Sequence, residues 1–364
     1  MFELHILGTS SARFAHGRSV SGSYVMTPGG ALLVDCGEGM QNRLVSHNAS
    51  LKKSDLQKRS KMAKLRTILF THAHLDHCWG LLPMLQTMAL DGRTEPLTII
   101  APSSMEAIEW AAENPGVAPE LDSGIDSSDF AILFHQWNIL GGKDGDFGYP
   151  IDWVLVPISE DSPFTSPVQP LDGVLLTIIP TNHGIPSCGW LISNAVTHGK
   201  FNRAKADELN LSNDQIRELA NGSDIVTPSG ELIASDFRGE IPESRSILIS
   251  GDTTGEVVAF SQLSTSPDIL VHEATHLIAN EDKAKMWNHS TSLDAARHAS
   301  ISKSKVLALT HYSSRIDDIN LVQEEAKQLH KCSIACKDGD IFTVSKEGVV
   351  SMNRRDEGWK KYEF

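Results

Sequence analysis

One short loop in this sequence carries four side chains that are able to bind metal ions. The apolar run Leu65–Phe70 leads into the loop, and His72, His74, Asp76 and His77 follow at H-x-H-x-D-H spacing. The end of a strand fixes the start of the loop, and the alternation of His72 and His74 directs both imidazoles to one side. Imidazole and carboxylate groups at this spacing favour a metal site over a solvated, histidine-rich loop.

Three further residues of metal-binding type follow later apolar runs. His183, Asp252 and His311 each lie shortly after a segment that reads as a strand. Taken alone, a polar residue at such a position is more often a cap or a turn former. Taken together, the three favour a single cluster, because loops at one edge of a sheet converge.

Composition and charge indicate a globular chain with an acidic balance. It has 364 residues, of which 40% are hydrophobic, and a formal net charge of −14. That charge disfavours nucleic-acid binding through attraction by the whole surface. No apolar run reaches 18 residues, so no membrane span is expected, and Met1–Gly8 reads as a strand rather than a secretory signal. The five scattered cysteines predict a reducing compartment, the cytoplasm.

One segment departs from the acidic balance. Residues 52–66, here called the basic stretch, carry seven lysines and arginines and a single acid, Asp55. The seven are Lys52, Lys53, Lys58, Arg59, Lys61, Lys64 and Arg66. Two interpretations are open, a solvated helix face leading into the strand before the histidine loop and a patch that contacts phosphates.

Most of the chain alternates strand-like and helix-like segments, which is typical of an α/β protein. We expect one domain over residues 1–364. Residues 114–173 are rich in Gly, Pro, Asp and Ser and predict long loops with a few antiparallel strands. Residues 199–240 are polar and predict helices at Arg203–Leu209 and Asp214–Ala220 within a protruding, arm-like insertion.

The order H-x-H-x-D-H, His, Asp, His resembles that of the metallo-β-lactamase superfamily, and further motifs are similar to its ribonuclease Z family. The most specific are His272-Glu273-Ala274-Thr275 and His289-Ser290-Thr291. Others are Leu7-Gly8-Thr9, Leu33-Val34-Asp35-Cys36-Gly37-Glu38, Ser250-Gly251-Asp252-Thr253 and Leu309-Thr310-His311. This resemblance implies a four-layer αββα sandwich with an arm insertion.

The resemblance also implies two Zn²⁺ ions per chain, with Mn²⁺ as an alternative ion. One ion would be held by His72, His74 and His183, the other by Asp76, His77 and His311, and Asp252 would bridge the two. A pair of such ions can clamp the attacking and leaving oxygens of a phosphodiester and can lower the pKa of a water molecule to near neutrality.

Catalytic and substrate contacts follow from the same resemblance. Asp76 would also act as the base for the attacking water. His289 would protonate the leaving 3′-oxygen, with Glu273 orienting the imidazole and holding it charged. Without the resemblance, Glu273 and His289 read equally well as supports of the ligands or as surface residues. Arg315 and Ser313 could grip a phosphate, although a plain surface role suits Ser313 as well.

The implied function is that of a zinc-dependent endoribonuclease that cuts the 3′ trailer of tRNA precursors as a homodimer. A phosphodiesterase for small or cyclic nucleotides on the same scaffold is the alternative. Departures from the family pattern concern the substrate. Residues 211–224 carry more acids than bases where the family arm has a basic tip, and His276 stands where the family has Phe. Ser19 follows Arg18 where the family usually has Asn. His276 could bind RNA or replace an aromatic packing surface, and packing is favoured.

Overall fold

The computed structural model describes residues 1–120, 122–141, 147–195, 199–240 and 243–364. The chain folds as two compact units. The first combines Met1–Asn194 with Arg245–Phe364, and the second is Ala195–Ser244. The second unit is thus an insertion in the sequence of the first.

Strands and helices alternate along most of the described chain. The strands are β1 Phe2–Gly8, β2 Gly22–Thr27, β3 Gly30–Val34, β4 Leu65–Leu69, β5 Leu97–Ser103, β6 Ile151–Pro157, β7 Phe164–Thr165, β8 Val174–Pro180, β9 Cys188–Asn194, β10 Ile225–Thr227, β11 Gly230–Leu232, β12 Ser246–Ile249, β13 Ile269–Glu273, β14 Val306–Thr310, β15 Ser333–Ala335, β16 Ile341–Val344, β17 Val350–Arg355 and β18 Trp359–Glu363. The helices are α1 Met40–Lys52, α2 Leu75–Cys78, α3 Leu81–Leu90, α4 Met105–Glu113, α5 Phe130–Gly141, α6 Arg203–Glu208, α7 Asn213–Asn221, α8 Glu281–Met286, α9 Ser292–Ile301 and α10 Asn320–Ala326. Within the described ranges, none of these helices combines the length and the apolar character that crossing a bilayer requires.

The described strands of the first unit form two sheets. Nine lie in the order β18-β17-β16-β1-β2-β3-β4-β5-β6, and seven lie in the order β15-β14-β13-β12-β9-β8-β7. The strand β4, which precedes the histidine loop, is parallel to β3 and β5, and β14 is parallel to β13 and β15. Parallel neighbours end at the same edge of a sheet, so the loops that follow them lie close together.

Three apolar cores establish the four layers of this unit. Between the sheets, residues such as Ile6 and Trp190 pack together. On the outer face of the first sheet, α1, α3 and α5 pack through residues such as Met84. On the outer face of the second sheet, α9 and α10 pack through Ala296 and Val322. The predicted αββα sandwich is confirmed.

The strand β3 shows why the sequence specifies a sheet covered on both faces. Leu32 and Val34 belong to the core between the sheets, whereas Ala31 and Leu33 belong to the core beneath the helices. Successive side chains of a strand point to opposite faces, so a run without polar residues places apolar groups on both sides. Such a strand is stable only in the interior of a layered domain.

The prediction for residues 114–173 was wrong at two elements. Phe130–Gly141 is the helix α5, which buries Phe130, Phe134 and Trp137. Its side chains are apolar nearly all round, so no polar face marked a helical period. The strand β6 pairs parallel with β5, not antiparallel, whereas β7 does pair antiparallel with β8. Residues 121 and 142–146 of this region lie outside the described residues.

The second unit, Ala195–Ser244, has a small core of its own. The helices α6 and α7 and the hairpin β10–β11 enclose residues such as Ile216, Leu219 and Phe237. Ser212 caps α7 in a capping box with Gln215. The helices α6 and α7 differ from the expected helices by one residue at their ends. The role of residues 199–240 as an arm within a single domain stays a prediction.

Candidate metal centre

Each of the seven predicted metal ligands lies in a segment that follows a strand. The strand β4 precedes the four residues of the histidine loop, and β8, β12 and β14 precede His183, Asp252 and His311. The structure brings all seven together. In three groups the potential ligand atoms lie within 4.8 Å of one another: His72, His74 and His183; His72, His77 and Asp252; and Asp76, His77 and His311.

The turn before Asp252 requires glycine. Gly251 has a φ of 64°, and a Cβ added there would lie 2.5 Å from Cβ of Thr71. Only a residue without a side chain adopts this conformation and this close approach at little cost. The loop after β12 therefore lies directly against the start of the histidine loop, which brings Asp252 to His72.

His74 and His183 make the closest contact in the first group. Nδ1 of His74 lies 3.0 Å from Nε2 of His183. Nδ1 of His183 donates to the carbonyl oxygen of Asn288 at 2.7 Å, so its Nε2 presents a lone pair to the cluster. Oδ2 of Asp252 lies 3.8 Å from Nε2 of His183 and 3.9 Å from Nε2 of His72.

His77 and His311 face each other in the second group, with 3.2 Å between their Nε2 atoms. Oδ2 of Asp76 lies 3.3 Å from Nε2 of His311 and 3.7 Å from Nε2 of His77. Oδ2 of Asp252 lies 3.3 Å from Nε2 of His311 and 3.5 Å from Nε2 of His77. Asp252 is thus the one carboxylate in contact with both groups among the described residues.

Hydrogen bonds behind the cluster orient two of its imidazoles. Nδ1 of His77 donates to Oδ2 of Asp35 at 2.8 Å, and the same carboxylate accepts from the backbone N–H and the hydroxyl of Thr71. Nδ1 of His311 donates to Oγ1 of Thr275 at 2.9 Å. Both rings therefore turn Nε2 toward the cluster, as ligands of a metal usually do.

The unpartnered polar atoms and the charge of the cluster fit bound cations. Nε2 of His72 and Oδ1 of Asp252 are buried without a hydrogen-bond partner among the described residues, a state that costs about 1–3 kcal/mol per polar atom. The facing Nε2 atoms of His77 and His311 require a proton or a cation between them. Burial lowers the pKa of His77, but Asp252 and its neighbouring carboxylates raise it overall, so the cluster attracts positive charge. The donor set fits divalent metal ions.

His289 and Glu273 form a hydrogen-bonded pair beside the cluster. Nδ1 of His289 lies 3.0 Å from Oε1 of Glu273 and 3.7 Å from Oδ2 of Asp252. The backbone N–H of Thr253 and the hydroxyl of Thr275 donate to the same carboxylate and fix its position. Burial lowers the pKa of His289, but Glu273 and then Asp252 raise it to about 9 overall. The imidazole is therefore charged near neutral pH.

Ser313 and Arg315 lie in the segment after β14, close to His311 in sequence. The backbone N–H of Ser313 donates to the carbonyl oxygen of Thr275, and Oγ of Ser313 accepts from the N–H of Arg315 at 3.3 Å. Arg315 is exposed, and among the described residues its guanidinium has no hydrogen-bond or ion-pair partner. Phosphate binding by these two residues stays a prediction.

Sequence reasoning gave no role to three residues that orient the imidazoles. Asp35 follows β3 as the ligands follow their strands, so the same signal was present. Thr275 belongs to a family motif but had not been paired with His311. Asn288 acts through its backbone carbonyl, which no sequence pattern reveals.

The chain is similar to known proteins in sequence and in structure. Residues 2–130 match the family model of "Anti-Pycsar protein Apyc1". Ribonuclease Z of Nitrosopumilus maritimus is 33% identical over 92% of this chain and 97% of its own length. The crystal structure of the short form of human tRNase Z covers 94% of this chain and 99% of its own, with a TM-score of 0.56 and 21% identity. A metallo-β-lactamase fold protein of Bacillus subtilis covers 94% of this chain and all of its own, with a TM-score of 0.55 and 15% identity. The structures establish the fold, and the sequence relationship establishes that the chain belongs to the ribonuclease Z family.

Proposed function

We propose that this chain is a divalent-metal-dependent endoribonuclease that removes the 3′ trailer of tRNA precursors. Family membership supports the substrate class, and the cluster of seven imidazoles and carboxylates supports the chemistry. The single observation that carries the proposal is the pairing of His289 with Glu273 beside that cluster. A generic metal site does not need a charged imidazole that is not itself required as a ligand.

We assign two ions to the cluster, Zn²⁺ or alternatively Mn²⁺. One would be held by His72, His74 and His183, the other by Asp76, His77 and His311, with Asp252 shared. Bound there, divalent ions would supply Lewis acidity, which lowers the pKa of a water molecule and stabilises charge that develops on a phosphodiester.

Asp76 has a second role in this proposal. Burial raises the pKa of its carboxyl group, but His77 and then His311 lower it overall, so it stays ionised. Oδ2 accepts a hydrogen bond from the backbone N–H of Ala12 at 2.7 Å, which fixes the carboxylate. A fixed, ionised carboxylate can orient an attacking water and accept its proton.

His289 would donate the proton that the leaving 3′-oxygen needs. Its Nδ1 is engaged by Glu273, which leaves Nε2, without a partner among the described side chains, as the donating atom. Glu273 does not move that proton itself; it keeps the ring charged and oriented. Ser313 and Arg315 would contact a phosphate of the bound RNA.

The second unit offers little positive charge for RNA. Residues 199–240 carry eight acids and five bases. Three of the bases are engaged inside the unit: Arg203 pairs with Asp207, Lys205 donates to the carbonyl oxygen of Asp236, and Arg238 donates to the carbonyl oxygen of Ala220. Because phosphate contacts dominate RNA affinity, we assign the main backbone contact to another surface.

The basic stretch is that surface in our proposal. Lys58 pairs with Glu3, and Arg66 pairs with Glu95, so these two serve the fold. Four exposed lysines keep their charge free of any partner among the described residues: Lys52, Lys53, Lys61 and Lys64. Lys52 and Lys53 lie at the C-terminal end of helix α1, whose 13 residues span about 20 Å from Met40.

A homodimer and a cytoplasmic location complete the proposal, and both are supported by the family resemblance. Light scattering during gel filtration tests the first. A mass of one chain, 39.7 kDa, would contradict the dimer.

The decisive experiment is incubation of the purified, metal-loaded protein with a 3′-extended tRNA precursor. We expect one cut directly 3′ of the acceptor stem. The second candidate, a phosphodiesterase for small or cyclic nucleotides, is favoured by the acidic second unit. Turnover of small diesters that tRNA does not inhibit, without a discrete cut in the precursor, would establish that candidate and overturn ours.

A further inference from the structure

A groove of about 330 Å³ in the first unit is lined by His276, whose ring contacts that of His289. Its lining includes two kinds of groups, polar or charged side chains and apolar ones. The polar and charged residues include His276, Lys283, Arg315 and two acids, Asp317 and Asp318, and the apolar residues are Leu277, Ile316 and Leu321. None of these belongs to the predicted metal ligands.

His276 is the most informative residue of this groove. It is 7% exposed, and its backbone bonds to Ser290 and Ser292 on both sides, so its position is fixed. Its ring centroid lies 6.3 Å from that of His289, but its nitrogens have no hydrogen-bond partner among the described residues. These nitrogens are not among the buried polar atoms that lack a partner, so they are open to solvent at the groove. A molecule that enters the groove can therefore hydrogen-bond to this imidazole.

The protonation of His276 suits recognition of a nucleobase. Burial, and then the charge of His289, lower its pKa, so the ring is neutral at pH 7. A neutral imidazole presents one donor and one acceptor, and its flat face stacks on a base. Packing alone, which the sequence favoured, would not need these two ring nitrogens.

Two cationic side chains of the groove could contact a phosphate. The guanidinium of Arg315 has no partner among the described residues, and Nζ of Lys283 donates to Asn280 at 3.3 Å. The lining also holds Asp317, which contacts His16, and Asp318, which accepts from the amide groups of Asn320. The formal charge of the lining is therefore balanced, and a phosphate would be bound by direct contact with Arg315 and Lys283.

The position of the groove identifies which nucleotide it would bind. In the proposed function, on which this step depends, His289 protonates the 3′-oxygen that leaves. The ribose carrying that oxygen must then lie beside His289, and its base must enter an adjoining space. We infer that the groove binds the nucleotide immediately 5′ of the cut, with His276 against its base and Arg315 at its phosphate.

The test is a cycle of two changes, one in the protein and one in the RNA. The probe is a 3′-extended tRNA precursor with either a normal or an abasic nucleotide immediately 5′ of the cut. In the unmodified protein, loss of the base should lower kcat/KM about 10-fold, the effect of one lost base contact. In His276→Ala, loss of the base should have little further effect. Metal content and turnover of bis-p-nitrophenyl phosphate normalise each preparation for intact centres.

Two further variants keep the test decisive if His276→Ala folds poorly. His276→Phe preserves volume and stacking but removes the hydrogen bonds, so it should lose most of the preference among the four bases at this position. Lys346→Ala removes an exposed charge in the turn between β16 and β17 and should match the unmodified protein. Equal losses on base removal in the unmodified protein and in His276→Ala would overturn the groove assignment alone. A protein that cuts no RNA would overturn the proposed function, and the groove assignment with it.

Discussion

Oδ2 of Asp35 accepts a hydrogen bond from Nδ1 of His77 at 2.8 Å, although the two residues are 42 positions apart in the sequence. Asp35 has a φ of 60°, a left-handed conformation that Asp and Asn tolerate better than most residues. The bond fixes the tautomer of His77 and aims its Nε2 at His311. The centre thus depends on a carboxylate that is not itself a ligand.

Asp35→Asn should weaken metal binding and leave the fold intact. Asparagine tolerates the backbone conformation but removes the negative charge that raises the basicity of His77. We expect affinity to fall about 10- to 100-fold, as for other partners of ligating histidines. Competition with a chromophoric chelator measures it, with Asp55→Asn, a change at an exposed acid, as the control. Equal affinities in both variants would show that Asp35 serves only the backbone.

Asp76→Ala should lose both metal and activity. The carboxylate contacts His311 and His77 in the second group, and its removal takes away one of the two carboxylates that face these imidazoles. Metal analysis after dialysis and cleavage of the tRNA precursor measure the two losses. Asp91→Ala, at an exposed acid, is the matched control and should retain both. A fully loaded Asp76→Ala protein would exclude Asp76 as a ligand.

The His289→Ala variant should keep its bound metal and cleave the tRNA precursor more slowly. The ring is held by Glu273, and the seven ligand residues stay in place without it. Loss of a proton donor should lower kcat on the tRNA precursor about 10²- to 10⁴-fold. Metal content measured alongside separates this variant from Asp76→Ala. Equal metal loss in the two variants would contradict the roles assigned to them.

The sequence was sufficient to predict that the seven imidazole and carboxylate residues lie close together, because each follows an apolar run that forms a strand. It was not sufficient for the contacts behind the cluster. Whether Asp35 meets His77 or another residue depends on the packing of β3 beside β4, which local spacing does not encode. The helix α5 was missed for the opposite reason, since its apolar side chains lacked any periodic signal. The sequence therefore predicts most helices and strands better than it predicts which distant side chains contact each other.

His47 should make stability sensitive to acid at a site apart from the metal centre. Its Nε2 lies 2.8 Å from Nδ1 of His5, and both rings are buried. Burial, and then His5, lower the pKa of His47 to about 3, whereas an unfolded histidine has a pKa of about 6.5. Between these values only the unfolded chain binds the proton. The contribution of His47 is therefore present above about pH 6.5 and is lost as the pH falls toward 3.

His47→Gln removes this titration while keeping a group that can hydrogen-bond to His5. Between pH 7.5 and pH 5 the free energy of unfolding should fall by about 2 kcal/mol less in the variant than in the unmodified protein. Urea denaturation of both proteins in EDTA measures the difference, because the ligand histidines then contribute equally to each. Parallel losses in the two proteins would show that His47 gains no proton on unfolding in this range.

Replacing the four free lysines of the basic stretch should weaken RNA binding without altering the chemistry. Lys52, Lys53, Lys61 and Lys64 changed together to Ala should lower affinity for the tRNA precursor, and the slope of log Kd against log salt should decrease by about 0.7–0.9 per lost phosphate contact. The matched control changes four other exposed lysines, Lys327, Lys331, Lys346 and Lys360, which removes the same net charge elsewhere. Binding is measured in EDTA, so that no cleavage interferes. If both quadruple variants lose affinity equally, total charge governs binding, and the basic stretch is the solvated face that the sequence also allowed.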